Sequence, residues 1–213
     1  MNNTKIKIIE AAEVEFAING FSGASIRSIT SSAGVNTAAI NYHFGTKEDL
    51  FKEVFRYRIE PINTERMAML DEAYAKNEGR PLPLVEVVEI IIRPLFTKLI
   101  GEDSNNFYFL RAMGKGMGEE RDFMKSLHRD VMQKVIERFS QAISESLGNP
   151  DFKKIGYGMH FLSCILVGAM MKHGNLEQMS CGEVDLTHTQ SLIDHLITFI
   201  SGGLKSISEM DQK

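Results

Sequence analysis

The apolar residues near the start of the chain recur every three or four positions, which is the spacing of a helix with one buried face. The first such stripe runs from Ile6 to Ala17, and Gly20 follows where a helix would end. A shorter stripe runs from Ile26 to Ala33. The pattern therefore predicts two helices before residue 34, the second much shorter than the first.

The stretch from Ser25 to Phe44 predicts a helix-turn-helix. Ser25 can cap the short helix through its hydroxyl, and Gly34 can adopt the left-handed conformation that ends it. Asn36 is placed to cap a second short helix over residues 37–44. Two helices joined at a glycine turn also occur in many proteins that do not bind DNA, so this spacing alone leaves a purely structural interpretation open.

The second short helix has an unusual division of residue types. It has little to bury beyond Ile40 and Phe44, which lie four positions apart on one face. A helix that is apolar beneath and hydrogen-bonding above is typical of one that reads bases in the major groove. Its other positions include the polar residues Thr37, Asn41, Tyr42 and His43.

The rest of the chain predicts only helices. Thr46 caps a fourth helix, which we expect to break or kink near Pro61 before a further helical run over residues 63–76. We therefore predict an all-α protein with a three-helix N-terminal domain at residues 1–58 and a C-terminal helical domain at residues 59–213. The later predicted helices are 84–100, interrupted at Pro94, and 107–114, 121–147, 152–173 and 186–204.

Composition places the chain among ordinary globular proteins. Of its 213 residues, 43% are hydrophobic and 24% charged, and the formal net charge is −4. The charge is uneven, because residues 1–58 hold seven basic and six acidic side chains while the remainder is acidic. A DNA-binding domain with so small a net positive charge would make few phosphate contacts per subunit. It would therefore depend on paired subunits for affinity.

Two cysteines, Cys164 and Cys181, make neither a disulfide framework nor a metal pattern. Charged residues interrupt the N-terminal segment too early for a secretory signal. No stretch reaches the roughly 18 uncharged apolar residues of a membrane span. We therefore expect a cytoplasmic protein with reduced thiols and no membrane partner.

The segment from about Lys5 to Val54 resembles the N-terminal domain of the TetR/AcrR family of bacterial transcriptional regulators. The resemblance rests on Gly-Phe before the first short helix, Ala-Gly-Val at the turn, and Tyr-His-Phe-Gly-x-Lys-Glu-x-Leu after it. Asn41 departs from the pattern, since many members have an aromatic residue there. We therefore expect this chain to recognise a different base sequence.

The resemblance implies a role for each matching residue. Ser25 and Arg27 would contact the phosphate backbone, and Thr37, Ala38 and Asn41 would contact base edges or their surroundings. Tyr42, His43 and Lys47 would hold the flanking phosphates. Burial of Tyr42 against the next helix, or of His43 as a hydrogen-bonded core residue, remains the alternative for those two side chains.

The last two long helices are too apolar for the surface of a small monomer. We predict that they pair with their copies as a four-helix homodimer interface, with a monomer core as the alternative. The resemblance favours the dimer, because a two-fold reader must place two recognition helices ~34–36 Å apart, or a multiple of that distance.

A ligand pocket is the second expected function of the C-terminal part. Twelve Met and thirteen Phe residues are many for this length, and such side chains line adaptable apolar cavities, although an ordinary core explains them equally simply. The candidate pocket residues are Phe96, Phe107, Met113, Met117, Met132, Phe139 and Phe161.

The resemblance implies that this region binds an inducer, and it extends to members that sense long-chain fatty acids or their coenzyme A esters. A hydrophobic effector would then shift the fourth helix and weaken operator binding. Repression is the family's usual mode of control.

An enzyme is the rival class. His160 and Cys164 lie four positions apart on one helix, but no third metal ligand is fixed by spacing. Nucleophile motifs, phosphate loops and dinucleotide fingerprints are absent from the sequence. We therefore predict no catalytic residue, no metal and no cofactor. A helical adaptor without a DNA role is the other alternative, and it would leave the cluster of Asn41, Tyr42 and His43 unexplained.

Overall fold

The structure is a computed structural model that describes residues 3–100, 106–117, 122–172, 175–184 and 189–210, apart from the side chains of 116–117, 122–128 and 172. Every regular element in these ranges is a helix, which confirms the all-α prediction. The helices are α1 (Asn3–Gly23), α2 (Ile26–Ala33), α3 (Thr37–His43), α4 (Lys47–Lys76), α5 (Leu84–Leu99), α6 (Phe107–Met117), α7 (Asp122–Ser146), α8 (Phe152–Lys172), α9 (Asn175–Met179) and α10 (Thr189–Ser208).

The chain divides into two compact units. Unit 1 comprises Met1–Pro61 and Asn105–Met132, and unit 2 comprises Ile62–Ser104 and Gln133–Lys213. The boundary predicted after residue 58 lies close to Pro61, where the chain first passes from unit 1 to unit 2. The sequence does not indicate that α6 belongs with the N-terminal helices. That association is a long-range one, because α6 packs on α1. Two helices, α4 and α7, run from one unit into the other.

Unit 1 is built around three phenylalanines. Phe16 lies edge-on to Phe51 with 5.0 Å between ring centroids, and Phe21 lies edge-on to Phe51 at 5.6 Å. These edge-to-face contacts join the middle and end of α1 to the first turns of α4. Aromatic packing thus holds together the part of the unit 1 core that supports α2 and α3.

Neither proline ends its helix. The predicted interruption at Pro94 was wrong, and at Pro61, where a break or a kink was expected, the break was wrong. Helix α4 continues through Pro61, and α5 continues through Pro94. A proline inside a helix removes one backbone hydrogen bond and does not by itself end the helix when residues on both sides are packed. Ile59 and Ile62 beside Pro61 are both buried. The helix is therefore held by tertiary packing on each side of the missing bond.

Unit 2 contains a close approach between α8 and α10. A Cβ atom added at Gly158 would lie 2.6 Å from Leu204 Cδ2, so only glycine fits at this position without displacing the leucine. Both helices also pack on α5. The short helix α9 was not predicted, and the predicted start of the last helix, near Leu186, lies outside the described residues.

Helix α8 bears on the expectation that no stretch is suited to a membrane. Phe152–Met171 is long and apolar enough to cross one by length and composition. Its uncharged run, 155–171, has 17 residues and so stops just short of the expected length of about 18. A core helix passes the same test, and α8 packs on two other helices, so the segment is weak evidence for a membrane.

Candidate nucleic-acid interface

The caps predicted for the two short helices are present. The backbone N–H of Ser28 donates to Ser25 Oγ at 3.4 Å, and that of Ala39 donates to Asn36 Oδ1 at 3.0 Å. Gly34 ends α2 at φ 66° and ψ 35°, the left-handed conformation that glycine adopts without strain. Local residue types are therefore sufficient to place both helix starts and the turn.

The inner surface of the motif is apolar, as the pattern predicts. Ile29 of α2 is fully buried, and Ile40 and Phe44 at α3 are 1% and 8% exposed. Thr30 is also buried, and its hydroxyl donates to the carbonyl of Arg27 at 3.1 Å. Both helices are thus held on the unit 1 core by one face only, and the other face is free to meet a ligand.

The outer surface of α3 carries the residues predicted to read DNA. Tyr42 is 86% exposed, which rules out its burial against the next helix. Thr37, Ala38 and Asn41 are exposed as well. His43 is half-buried, with its ring 5.0 Å from that of Tyr42 and 6.2 Å from that of Phe44. The structure therefore brings hydrogen-bonding groups and one small residue together on an exposed helix.

Ser25 and Arg27 lie at the N-terminal end of α2, and both are exposed. The Ser25 hydroxyl is already used as an acceptor in the cap, although its proton can still be donated. Arg27 makes no ion pair with any residue that the structure describes. Its guanidinium is therefore available for an anion such as a phosphate.

Lys47, for which the resemblance implies a phosphate contact, makes several contacts within unit 1. Its ammonium donates to the carbonyls of Ser22 at 3.4 Å and Ala24 at 3.0 Å, and it lies 4.8 Å from the centroid of the Phe21 ring. These contacts join the start of α4 to the end of α1. Lys47 therefore positions the corner from which α2 begins, and only its remaining N–H could be offered to a phosphate.

Glu15 has a role that no local pattern indicated. Its carboxylate accepts from the backbone N–H of Ser25 at 2.9 Å, the hydroxyl of Ser28 at 2.7 Å and the amide of Asn19 at 3.0 Å. Burial raises the pKa of Glu15, but these three hydrogen bonds outweigh it and leave the pKa below its usual value. Glu15 thus ties α1 to the start of α2 in its ionised form.

Ion pairs consume several of the basic residues of unit 1. Arg58 makes a bidentate contact with the buried Glu13, at 2.8 and 3.0 Å, and Lys5 pairs with Glu53 at 2.9 Å. Within the described ranges, Lys7 and Arg27 are exposed cations with no acidic partner. The number of cations that can meet phosphates is thus smaller than the sequence count of seven.

The residues assigned to a ligand pocket are divided between the two units. Phe107 and Phe161 are 63% and 48% exposed, whereas Phe96, Met113 and Phe139 are buried. On α6 the buried face is the one opposite Phe107, which carries Phe109 and Met113. The side chain of Met117 lies outside the described residues. In unit 1 the candidates are Phe107, Met113 and the half-buried Met132, and in unit 2 they are Phe96, Phe139 and Phe161.

His160 and Cys164, the candidate metal ligands on α8, lie close together but have no third ligand among the described residues. Cys164 Sγ lies 3.8 Å from His160 Nε2, and both residues are exposed. No group of three or more His, Cys, Asp or Glu side chains suited to a metal occurs in the part of the chain that the structure describes.

Comparisons with known proteins cover both parts of the chain. Residues 8–54 match the family model described as bacterial regulatory proteins, tetR family. Residues 89–203 match the model described as tetracyclin repressor-like, C-terminal domain, which is more than half of the 213 residues.

Two curated relatives illustrate the sequence similarity. The chain is 48% identical over 52 residues to the "Probable HTH-type transcriptional regulator YttP" of Bacillus subtilis, spanning 24% of this chain and 25% of the relative. It is 39% identical over 142 residues to the "HTH-type transcriptional regulatory protein RaaS" of Mycobacterium tuberculosis, spanning 66% of this chain and 56% of the relative. The alignments thus span about a quarter to just over half of these relatives.

Solved structures share the fold at low identity. The fatty acid degradation regulator FadR from Bacillus halodurans superimposes with a TM-score of 0.72 at 17% identity, covering 96% of this chain and 98% of the other. FadR from Bacillus subtilis, solved in complex with stearoyl-CoA, gives 0.63 at 16% identity, covering 93% and 98%. The two family models match the chain in order, and the fold agrees with them. The chain therefore belongs to the TetR family of bacterial regulatory proteins.

Proposed function

We propose that this protein is a transcriptional repressor that binds a two-fold operator as a homodimer and is released by a small hydrophobic effector. The DNA-binding part of the proposal rests on the exposed face of α3. Asn41 and Tyr42 are exposed there, while Ile40 and Phe44 on the other face are buried. Such a face has no role in the core of the chain. An adaptor without a DNA role would leave it unexplained.

Each exposed residue has a chemical role in this proposal. Asn41 pairs with an adenine edge, and Thr37 and the small Ala38 let α3 lie close to the bases. Ser25, Arg27, Tyr42 and His43 contact the sugar-phosphate backbone, which fixes the register of the helix on the duplex. Lys47 contributes a phosphate contact only through the N–H that the corner leaves unused.

The homodimer is supported by apolar side chains that the chain itself does not cover. Tyr157 and Phe161 of α8 stack with 6.3 Å between ring centroids while remaining 63% and 48% exposed, and Phe199 of α10 is 69% exposed. Aromatic side chains left in water on two packed helices are typical of an interface with a second copy.

The effector class is the finer part of the proposal. Two solved structures with this fold are named as FadR regulators, and one is in complex with stearoyl-CoA. We take a long-chain fatty acid or its coenzyme A ester as the effector of this chain. By linkage, a ligand that weakens operator binding must bind the DNA-free state more tightly.

The test begins with selection of operators from random double-stranded DNA by the full chain. A two-fold consensus is expected, with Asn41→Ala weakening binding about tenfold or more per subunit. Asn175→Ala is the matched control, because Asn175 is an exposed asparagine on α9. Equal operator affinity of Asn41→Ala and the control would refute the assignment of α3.

The effector is tested on the selected operator. Oleic acid and oleoyl-CoA are titrated separately into the complex, and at least one is expected to raise the melting temperature of the protein while lowering operator affinity. Unchanged operator affinity at saturating ligand would reject induction and leave the DNA-binding part intact.

A further inference from the structure

Unit 2 contains a buried arginine whose charge is not neutralised by any residue that the structure describes. Arg66 of α4 is 3% exposed. Its Nε donates to the carbonyl of Ile91 on α5 at 2.8 Å, and Nη2 donates to the same oxygen. Its Nη1 donates to Oδ1 of Asn63, itself 6% exposed, at 3.3 Å. All of these acceptors are neutral.

The acidic residues of the adjoining segments are engaged with other cations. Glu65, the neighbour of Arg66 in sequence, pairs with Lys98. Asp71 pairs with Arg138 at 3.2 Å. Among the residues that the structure describes, no carboxylate is in ion-pair contact with Arg66. Within the described ranges, the buried guanidinium therefore has no anionic partner.

Burial without an anion is unfavourable for a cation, and it lowers the pKa of Arg66 to about 10. The side chain nevertheless remains protonated at neutral pH. Its bonds to Ile91 join α4 to α5. They satisfy hydrogen bonds of the guanidinium but leave its charge without a counter-charge from the described residues.

The surroundings define what kind of anion could approach. Val87 and Leu95, about one helical turn to either side of Ile91 on the same face of α5, are buried and apolar. A ligand in this region must bring a large apolar surface along with its charge. Three of the five guanidinium N–H groups are used, and the two that remain can donate to one small anionic group.

We propose that Arg66 is the receptor for the carboxylate of the effector, and that the effector is a free long-chain carboxylic acid in preference to its coenzyme A ester. This inference rests on the proposed function, since it specifies the head group of the acyl effector. A thioester has no carboxylate, and the charges of coenzyme A lie on phosphates remote from the acyl carbonyl. Only the free acid places a negative charge directly at the end of the apolar chain.

The experiment compares oleic acid, methyl oleate and oleoyl-CoA by calorimetric titration of the full chain. The acid and its methyl ester share one hydrocarbon chain and differ in the charge. The wild type is expected to bind the acid about 10- to 100-fold more tightly than the ester. In Arg66→Gln, which keeps a hydrogen-bond donor without the charge, this preference is expected to disappear.

Two further variants control the result. Arg66→Lys keeps the charge and is expected to retain a preference for the acid. If the glutamine variant does not fold, loss of the preference in Arg66→Lys or its absence in the wild type would count against the proposal. Arg80→Gln removes an exposed arginine from the loop after α4 and is expected to behave as the wild type. A preference for the acid that persists in Arg66→Gln, or a wild type that binds either ester as tightly as the acid, would overturn the role of Arg66. Failure of all three compounds to bind the wild type would instead reject the acyl effector of the proposed function.

Discussion

The carboxylate of Glu15 accepts a 2.9 Å hydrogen bond from the backbone N–H of Ser25, the residue that caps α2. The same carboxylate holds the hydroxyl of Ser28 one turn further on. A residue in the middle of α1 thus fixes where the helix-turn-helix begins. Since α2 supports α3, the orientation of the recognition surface depends on an acidic side chain that does not belong to the motif.

Replacement of Glu15 by Gln should destabilise unit 1 in a pH-dependent manner. The folded-state pKa is lowered, so the stabilisation is fully present above the ordinary value of 4.5 and is lost as the pH falls through the folded-state pKa. We expect Glu15→Gln to lower the free energy of unfolding by about 1–2 kcal/mol at pH 7, and by much less at pH 3.

Urea denaturation followed by circular dichroism measures this difference, as the chain has no Trp for fluorescence. Glu10→Gln is the control, because Glu10 is an exposed residue of the same helix. A difference between wild type and Glu15→Gln that is the same at both pH values would contradict the assignment.

The pair of Glu13 and Arg58 should show the asymmetry of a buried ion pair. Glu13 has a side chain only 5% exposed, so Arg58→Met would leave its carboxylate buried without a cation. We expect a decrease of about 3 kcal/mol in the free energy of unfolding. The double variant Glu13→Gln, Arg58→Met should recover most of this decrease. If the double variant is as unstable as the single one, packing of the arginine stem and not the charge explains the effect.

Gly158→Ala should disturb the packing between α8 and α10. The added methyl would lie 2.6 Å from Leu204 Cδ2, and the resulting repacking should cost about 1–3 kcal/mol. Gly156→Ala is the matched control on the same helix, since nothing lies within 4 Å of its added Cβ. Thermal unfolding at several protein concentrations compares the two. Equal stability of the two variants would show that Leu204 can move aside freely.

Phe199→Asp should convert the proposed dimer to a monomer. Phe199 is 69% exposed on α10, so its replacement removes nothing from the core of the chain while adding a charge to the proposed interface. Native mass spectrometry should record the monomer. Operator affinity should fall because the two DNA-binding domains are no longer linked. Met179→Asp serves as the control on α9, at 82% exposure. A dimer that survives the charge at Phe199 would place the interface elsewhere.

Arg27→Ala should weaken operator binding without changing sequence preference. Because the substitution removes one cation that meets a phosphate in each subunit, the slope of log affinity against log salt should decrease by about one unit per subunit. Filter binding across a salt series gives this slope. Lys115→Ala is a suitable comparison, since its ammonium donates to the Ile18 carbonyl at 2.5 Å and is thereby engaged within unit 1. An unchanged slope in Arg27→Ala would place its guanidinium away from the phosphates.

Local sequence was sufficient for much of the motif. The caps at Ser25 and Asn36, the turn at Gly34 and the burial of Ile40 were all predicted correctly, because each depends on residue type and on neighbours within four positions. The exposure of Tyr42 was predicted too, although its burial was an open alternative. The interruption predicted at Pro94 and the break considered at Pro61 were wrong, because tertiary packing holds each helix together despite the proline.

The sequence by itself determined the helical fold class, the helix-turn-helix and its exposed polar face, since these follow from periodicity and from hydrogen bonds between near neighbours. Only the tertiary structure decided which charges are free. Lys47 is bound to carbonyls 23 and 25 positions away, and Glu15 holds a helix that begins after it. Arg66 is buried with no anionic partner among the described residues. Such contacts join residues that are distant in the chain, and no local pattern encodes them.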